Sequence, residues 1–219
     1  MDRLKEIAKL CNGSNILLDV GCDHGYVIID AILNYGVKYA IGTDINQGPL
    51  ENARLNIIKN NIEDKASLIL TDGIKDVNLD FDTVVIAGMG GLLIKKILED
   101  SFSKIINKKL IIEANNNRDI VRKYLCNNGF IINNEIALFD NDKYYEIIEF
   151  IPGNNKYNEI ELNYGPILIK NKPKSFIKYY NDRINFINNI LKDIKDINII
   201  NEKKNELKIY HEILGEIYE

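Results

Sequence analysis

Two acids and a histidine lie in or beside one glycine turn near the start of this 219-residue chain. The run Leu17-Leu18-Asp19-Val20-Gly21-Cys22-Asp23-His24-Gly25-Tyr26 reads as a short apolar strand carrying an acid, a turn with two glycines, and the start of a helix. That order sets a nucleotide-bearing cofactor over the carboxyl end of a first β-strand. Gly21 and Gly25 let the backbone pass close to a ligand, and the small Cys22 side chain leaves room for it. Asp23 stands where such loops usually carry a glycine, and His24 follows it, so the turn holds groups able to do chemistry as well as to bind. More acids recur at later strand ends. Asp44, with Ile45 beside it, falls about 20 residues past the glycines, where an acid accepts from ribose hydroxyls. Asp72, followed by Gly73, can accept from an adenine exocyclic amine. Gly88-Met89-Gly90-Gly91 frees backbone groups to approach a flat ring, while Met89 can cover the adenine side. The ribose-reading acid would suit NAD equally well.

These residues need a scaffold, and the first 150 residues supply one by alternating strand and helix periods. A short amphipathic helix over 4–12 leads into a strand from Ile16 to Val20 and a helix over 26–35. A second strand spans Val37 to Asp44, with a helix from about 49 to 60, and a third spans Ala66 to Leu70. Thr83 to Ala87 is nearly all β-branched and apolar, the mark of a strand buried on both faces, and Leu92 to Leu98 is helical. Leu110 to Glu113 is a fifth strand, followed by a helix over 118–127. Phe130 to Phe139 and Tyr144 to Ile151 then form two strands with only the turn Asp140-Asn141-Asp142 between them. A dehydrogenase domain would place a helix there. The terminal hairpin instead resembles the seven-stranded α/β sheet of class I S-adenosylmethionine-dependent methyltransferases, a Rossmann-like fold whose last strand inserts antiparallel. Beside a sulfonium cofactor with an amino-acid head, Asp19 and Asp23 can accept from its ammonium.

The tail differs in kind. After a polar linker from Gly153 to Glu159 comes Tyr164-Gly165-Pro166, and then Ile177, Tyr180, Ile184, Ile187, Leu191 and Ile194 step by threes and fours in a heptad seam. Leu207, Tyr210, Leu214 and Ile217 resume the step after a break near 195–203, predicting an antiparallel αα-hairpin that pairs within the chain and leaves it a monomer. Residues 1–160 thus read as a cofactor-binding domain and 161–219 as a helical, coiled-coil-like one. Between 170 and 192 there are six basic residues, Lys170, Lys172, Lys174, Lys178, Arg183 and Lys192, against Asp182, with Phe176, Tyr179 and Tyr180 interleaved. That stretch is a candidate surface for RNA phosphates. The chain as a whole carries −4, which argues against a protein coated in nucleic acid but not against a local basic patch.

Cys11, Cys22 and Cys126 show no CxxC spacing, and there are only two histidines, so neither a disulfide framework nor a metal site is expected. No apolar stretch approaches the roughly 20 residues that span a bilayer. The first residues lack a signal peptide's apolar core, which points to the cytoplasm. His211, in the tail, reads as a solvated surface residue.

Beyond these features the chain resembles the bacterial tRNA (adenine-22) ring-nitrogen-1 methyltransferases, the TrmK-like family. The matching stretches are Asp19 to Tyr26, Gly48-Pro49-Leu50, Asp72-Gly73, Ala87 to Gly91, Asn115, Lys143-Tyr144-Tyr145-Glu146 and Tyr164-Gly165-Pro166. Two departures stand out: Gly25 and Ile28 where the family pattern has alanine and proline, and Glu113-Ala114 before Asn115 where it has glutamine and proline. The resemblance implies methyl transfer from S-adenosylmethionine to N1 of one adenine in a tRNA stem. It also implies roles for four residues. Asp23 would stabilise the positive charge left on the product, and His24 would orient the base or carry a proton. Asn115 would hydrogen-bond an adenine edge, and Tyr145 would stack on it. Lys170, Lys172, Lys174, Lys178 and Arg183 would grip the tRNA body while the base is exposed. Two rival readings are a small-molecule methyltransferase and a non-catalytic RNA-binding protein on the same fold.

Overall fold

The β-branched runs of the sequence become the strands of one sheet. The computed structural model describes residues 2–218. The strands are β1 (Ile16–Val20), β2 (Tyr39–Asp44), β3 (Ala66–Leu70), β4 (Thr83–Met89), β5 (Lys109–Ala114), β6 (Phe130–Asp140) and β7 (Lys143–Pro152), in the order β3-β2-β1-β4-β5-β7-β6. β1 to β5 pair parallel, and β7 enters antiparallel between β5 and β6. This is the seven-stranded Rossmann-like methyltransferase sheet. The helices of the α/β part are α1 (Asp2–Leu10), α2 (Tyr26–Asn34), α3 (Gln47–Lys59), α4 (Gly91–Asp100), α5 (Phe102–Ile105) and α6 (Arg118–Asn127).

Alternation along the strands feeds two cores. Leu17, Ala40, Val85, Ile111 and Ile147 pack against Ile7 of α1, Val27, Ile28 and Ala31 of α2, and Leu50, Ala53 and Ile57 of α3. Leu18, Ile41, Val84, Ile86, Leu110, Ile112 and Ile148 pack the other way, against Ile94 and Leu98 of α4 and Val121 and Leu125 of α6. With helices on both faces, residues 17–20 of β1, 40–43 of β2, 83–86 of β4 and 110–114 of β5 are buried.

The tail holds four helices: α7 (Glu159–Tyr164), α8 (Pro166–Asn171), α9 (Lys174–Ile190) and α10 (Ile197–Leu214). The first two lie between the predicted linker and the heptad seam, in sequence to which the pattern assigns no helix. Asn158 caps α7 through a reciprocal capping box with Glu161, and Pro166 starts α8 at its first position, where a missing N–H does no harm. α10 begins at Ile197, capped by Asp196, so the break between the long helices is shorter than the heptad pattern predicts. α9 and α10 run antiparallel, with Arg183 meeting Glu206 and Tyr180 meeting Tyr210. Ile217 lies beyond α10 and is 88% exposed, so it takes no part in the seam.

A third core, of Phe176, Tyr180, Ile184, Ile187, Leu207, Tyr210 and Ile213, also takes in Ala137 of β6 and Tyr144 of β7. Phe176 and Tyr180, interleaved with lysines in sequence, are therefore core residues and present no face to a ligand. Beneath this junction Arg122 of α6 is fully buried between Glu135 of β6, at 2.8 Å, and Glu146 of β7, at 2.7 Å. Glu135 also accepts the N–H of Ile167 at 2.9 Å, anchoring the first turn of α8. Both carboxylates hold the Arg122 guanidinium charged, well above the ordinary arginine range. Gly165 crosses directly over this cluster at φ +92, where a Cβ would stand 2.7 Å from one Glu135 oxygen.

Candidate active site

A cleft of about 680 Å³ opens at the carboxyl ends of β1, β2 and β4, where strand order reverses between β1 and β4. Its walls include Asp19, Gly21, Cys22, Asp23, His24, Asp44, Ile45, Asp72, Gly73, Gly88 and Met89, so every residue predicted to bind cofactor lines it.

The floor is set by β1. Asp19 is 4% exposed, and burial, with the nearby Asp44 carboxylate adding to it, pushes its carboxyl up to about 7. The backbone then turns away: Gly21 and Cys22 both donate to the Thr43 carbonyl, at 2.8 and 2.9 Å, tying the loop to β2. Gly21 sits at φ +73, and a Cβ there would collide with the Met89 methyl at 2.3 Å. Met89 therefore lies directly over the glycine, from the opposite wall. Gly42, behind the loop, leaves the space that Cys22 Sγ fills; a Cβ would come within 2.8 Å of that sulfur. Burial pushes the Cys22 thiol up, so it is a spacer and not a nucleophile.

Asp23 adopts φ +48, which throws its side chain outward. Its Oδ1 lies 3.7 Å from His24 Nε2, both groups are partly exposed at the cleft mouth, and the His24 ring stacks on Tyr26 with centroids 5.5 Å apart. Asn56 of α3 donates to the His24 carbonyl at 3.0 Å, fixing the loop from behind. The acid and imidazole are thus presented to the cleft by a backbone that is itself pinned. Asp44, at the end of β2, accepts the Asn46 N–H at 2.9 Å, which orients one oxygen and leaves the other for a ligand hydroxyl. Asp72 is exposed at the rim, and Thr43 Oγ1 donates to the Gly73 carbonyl at 3.3 Å, holding that turn against β2.

Asn115 and Tyr145 stand beside the cleft, outside its lining. Asn115 Nδ2 donates to the Gly88 carbonyl at 2.6 Å, and Lys143 Nζ reaches Asn115 Oδ1 at 3.4 Å. The Tyr145 ring is covered by the Arg3 guanidinium, 4.7 Å from its centroid, and by Lys143, at 5.1 Å. Arg3 and Leu4 of α1 line the cleft, as do Thr43 and Thr71. Reading the sequence misses them: Arg3 belongs to a segment that shows only helical amphipathicity, and its partner Glu113 is 110 residues away.

The basic stretch divides in two. Lys178 pairs with Asp182 at 2.8 Å and lies over the Phe139 ring, and Arg183 pairs with Glu206 at 3.3 Å. Lys170, Lys172 and Lys174 make no ion pair among the described residues, and Lys170 and Lys174 are exposed. They flank the α8–α9 joint. The adjoining turn of α9 is tied to β6, where Ser175 donates to the Ala137 carbonyl, close to the β6–β7 tip and on the cleft end of the sheet. His211 is half-buried and bonded to Glu216 at 2.9 Å, so it is not the solvated residue the sequence suggests. Cys11, Cys22 and Cys126 are free, and among the described residues no cluster of three or more potential ligands could hold a metal ion. No helix among them is long and apolar enough to cross a membrane.

Comparison with known proteins gives a consistent answer. The family model described as tRNA (adenine(22)-N(1))-methyltransferase, TrmK, matches residues 17–216. The Bacillus subtilis tRNA (adenine(22)-N(1))-methyltransferase is 28% identical over 214 residues, 94% of this chain and 90% of that protein. Among solved structures, M. capricolum TrmK in complex with S-adenosyl-homocysteine superposes with a TM-score of 0.87 at 30% identity, covering 98% of this chain and 97% of that one. Streptococcus pneumoniae Sp1610, a candidate tRNA (m1A22) methyltransferase bound to S-adenosyl-L-methionine, gives 0.88 at 28% identity, over 98% and 99%.

Proposed function

The chain belongs to the tRNA (adenine(22)-N(1))-methyltransferase family, and from that premise we propose how its residues divide the work. The enzyme transfers a methyl group from S-adenosylmethionine to ring N1 of adenine 22 in tRNA. The cofactor supplies an electrophilic methyl on a sulfonium; N1 attacks with its lone pair, the N–C bond forms, and the electrons of the broken S–C bond return to sulfur. N1 carries no proton, so no base is needed to unmask it. The protein must position the ring in line and manage the positive charge left on the base.

The observation that carries this division is the convergence of Asp19, Asp44, Asp72 and the Gly88-Met89 turn on one cleft. We assign Asp19 and Asp23 to the cofactor's ammonium, Asp44 and Ile45 to its ribose side, and Asp72, Gly73 and Met89 to adenine. Gly21, Cys22 and Gly88 give the backbone its close approach. Asp23, exposed at the cleft mouth, is the group to offset charge on the methylated base, with His24 held next to it as orienting or proton-carrying partner. Asn115 and Tyr145 belong to the target-base side, although in the protein alone their polar and aromatic faces are engaged by Gly88, Arg3 and Lys143. Lys170, Lys172 and Lys174 are the first candidates for tRNA phosphates, with Lys178 and Arg183 able to join by leaving their surface pairs, which are worth little. Residues 1–160 then serve the cofactor and 161–219 the RNA. Because the heptad seam is buried inside one hairpin, we infer a monomer, acting where tRNA is found, in the cytoplasm.

The test is incubation with labelled S-adenosylmethionine and in vitro transcribed tRNA, with adenine or another base at position 22. Label is expected on the adenine-22 transcript alone. Transfer to both transcripts, or to neither while cofactor still binds, would overturn the assignment.

A further inference from the structure

Glu113 marks a departure from the family pattern, and it occupies an unusual place. It is fully buried near the end of β5, yet one carboxylate oxygen serves two donors while the other is buried without a partner. The bonded oxygen accepts the Gly88 N–H at 2.9 Å and pairs with Arg3 Nη1. A buried carboxylate is costly unless a cation compensates it, and Arg3 is its one ion-pair partner among the described residues.

Gly88 is therefore held at both ends of the residue, its N–H by Glu113 and its carbonyl by Asn115. It sits at φ +78, where β4 breaks register against β5, so this grip fixes backbone that the sheet itself does not. The same Arg3 guanidinium covers the Tyr145 ring and lines the cofactor cleft. The first turn of α1 thus closes one wall of the site, and its charge reaches the Gly88 turn through a single buried carboxylate.

We propose that Arg3 is a positioning residue for methyl transfer: acting through Glu113, it sets the Gly88 turn, whose carbonyl holds Asn115 of the target-base side. This rests on the adenine-methylating activity given above. The role needs the negative charge of Glu113. Glutamine at 113 keeps an acceptor for the Gly88 N–H and needs no cation, so it should release the requirement for Arg3.

The experiment is a double-mutant cycle of Arg3→Ala and Glu113→Gln, with kcat and KM for tRNA and Kd for S-adenosylmethionine measured for all four proteins. Arg3→Ala alone is expected to lower kcat on the order of 10²-fold, the cost of a misplaced reacting group, with cofactor Kd moving less than about threefold. In the Glu113→Gln background the same substitution should cost less than about fivefold in kcat. Arg3→Lys, which keeps the charge, should follow the same rescue with a smaller loss and serves where the alanine variant melts too low to assay. Equal losses in both backgrounds, or a change confined to KM for tRNA, would overturn the proposal in favour of direct contact between Arg3 and RNA. An inactive wild type would overturn the activity as well, so the two failures are distinguishable.

Discussion

Replacing Asp19 by Asn separates what the cofactor cleft costs the protein from what it supplies to the ligand. The carboxyl is buried on β1, and desolvation, together with the Asp44 carboxylate, raises it from the ordinary 3.8 to about 7. A raised value means that the folded state holds the proton more tightly than the unfolded chain. The stabilisation from holding that proton is complete below about pH 4 and is lost as pH rises through about 7. A shift of about three units at 1.36 kcal/mol each puts the ionisation penalty near 4 kcal/mol at about pH 8.5. At about pH 6, where protonation relieves part of it, roughly 3 kcal/mol remains. Asparagine carries no such penalty at either pH, and both conditions stay clear of the sequence pI of 5.4.

The gain from Asp19→Asn should therefore be larger at the higher pH by about 1.4 kcal/mol, or some 3–6 °C in Tm for a chain of this size. Thermal unfolding followed by circular dichroism, without ligand, at the two pH values measures it. In parallel, titration calorimetry should show S-adenosylmethionine binding weakened about 10- to 100-fold, the loss of a hydrogen bond to a charged group. A Tm difference that is the same at both pH values would refute the claim that ionisation of Asp19 is the source of the cost. Unchanged cofactor affinity would refute its assignment to the ligand ammonium.

Three other sets of substitutions address the rest of the molecule. Gly165→Ala places a methyl 2.7–2.9 Å from Glu135 and Arg122, in backbone at φ +92, and should destabilise the protein by about 3–5 kcal/mol in denaturant unfolding; a loss under about 1 kcal/mol would show that the buried cluster yields. Reversing Lys170, Lys172 and Lys174 to Glu should weaken tRNA binding and reduce its salt slope by about 3 while leaving cofactor affinity alone, and an unchanged slope would remove these residues from the RNA surface. Asp23→Asn and His24→Ala, made separately, should each lower kcat by about 10–100-fold with smaller changes in cofactor Kd. Losses confined to Kd would leave both as binding residues without a part in the chemistry.

The sheet was legible because buried parallel strands must be continuous apolar runs: Thr83 to Ala87 reads one way only. The cleft was legible for a related reason, since acids at successive strand ends serve no core and so stand out. The tail was less so. Gly165 and Pro166 fall in no predicted element, yet proline opens α8 and glycine is required by the Glu135–Arg122 pair beneath it, a contact with no local signature. The first turns of α10 were hidden because Ile197 and Ile199 are exposed, 63% and 43%, and break the heptad rhythm. Composition also could not tell which side of α9 its aromatics occupy: Phe176 and Tyr180 turn inward, while Phe186 is 54% exposed. Arg3 and Glu113 lie 110 residues apart in sequence, and nothing in either segment announces the other.

The antiparallel strand gives that tail its purpose. Side chains along β7 alternate between faces, and three consecutive residues use the alternation for three tasks. Tyr144 stacks on Tyr179 of α9 with ring centroids 4.0 Å apart, Tyr145 turns to the opposite face under Arg3, and Glu146 returns to hold Arg122. The helical hairpin and the proposed target-base side of the cleft are thus fastened to successive residues of one strand. A helical tail on a flexible linker would hold tRNA near the cofactor but leave the adenine's approach undefined. One docked on β6 and β7 would carry the proposed grip of Lys170, Lys172 and Lys174 to the base in a fixed frame, which in-line transfer to a single ring nitrogen requires.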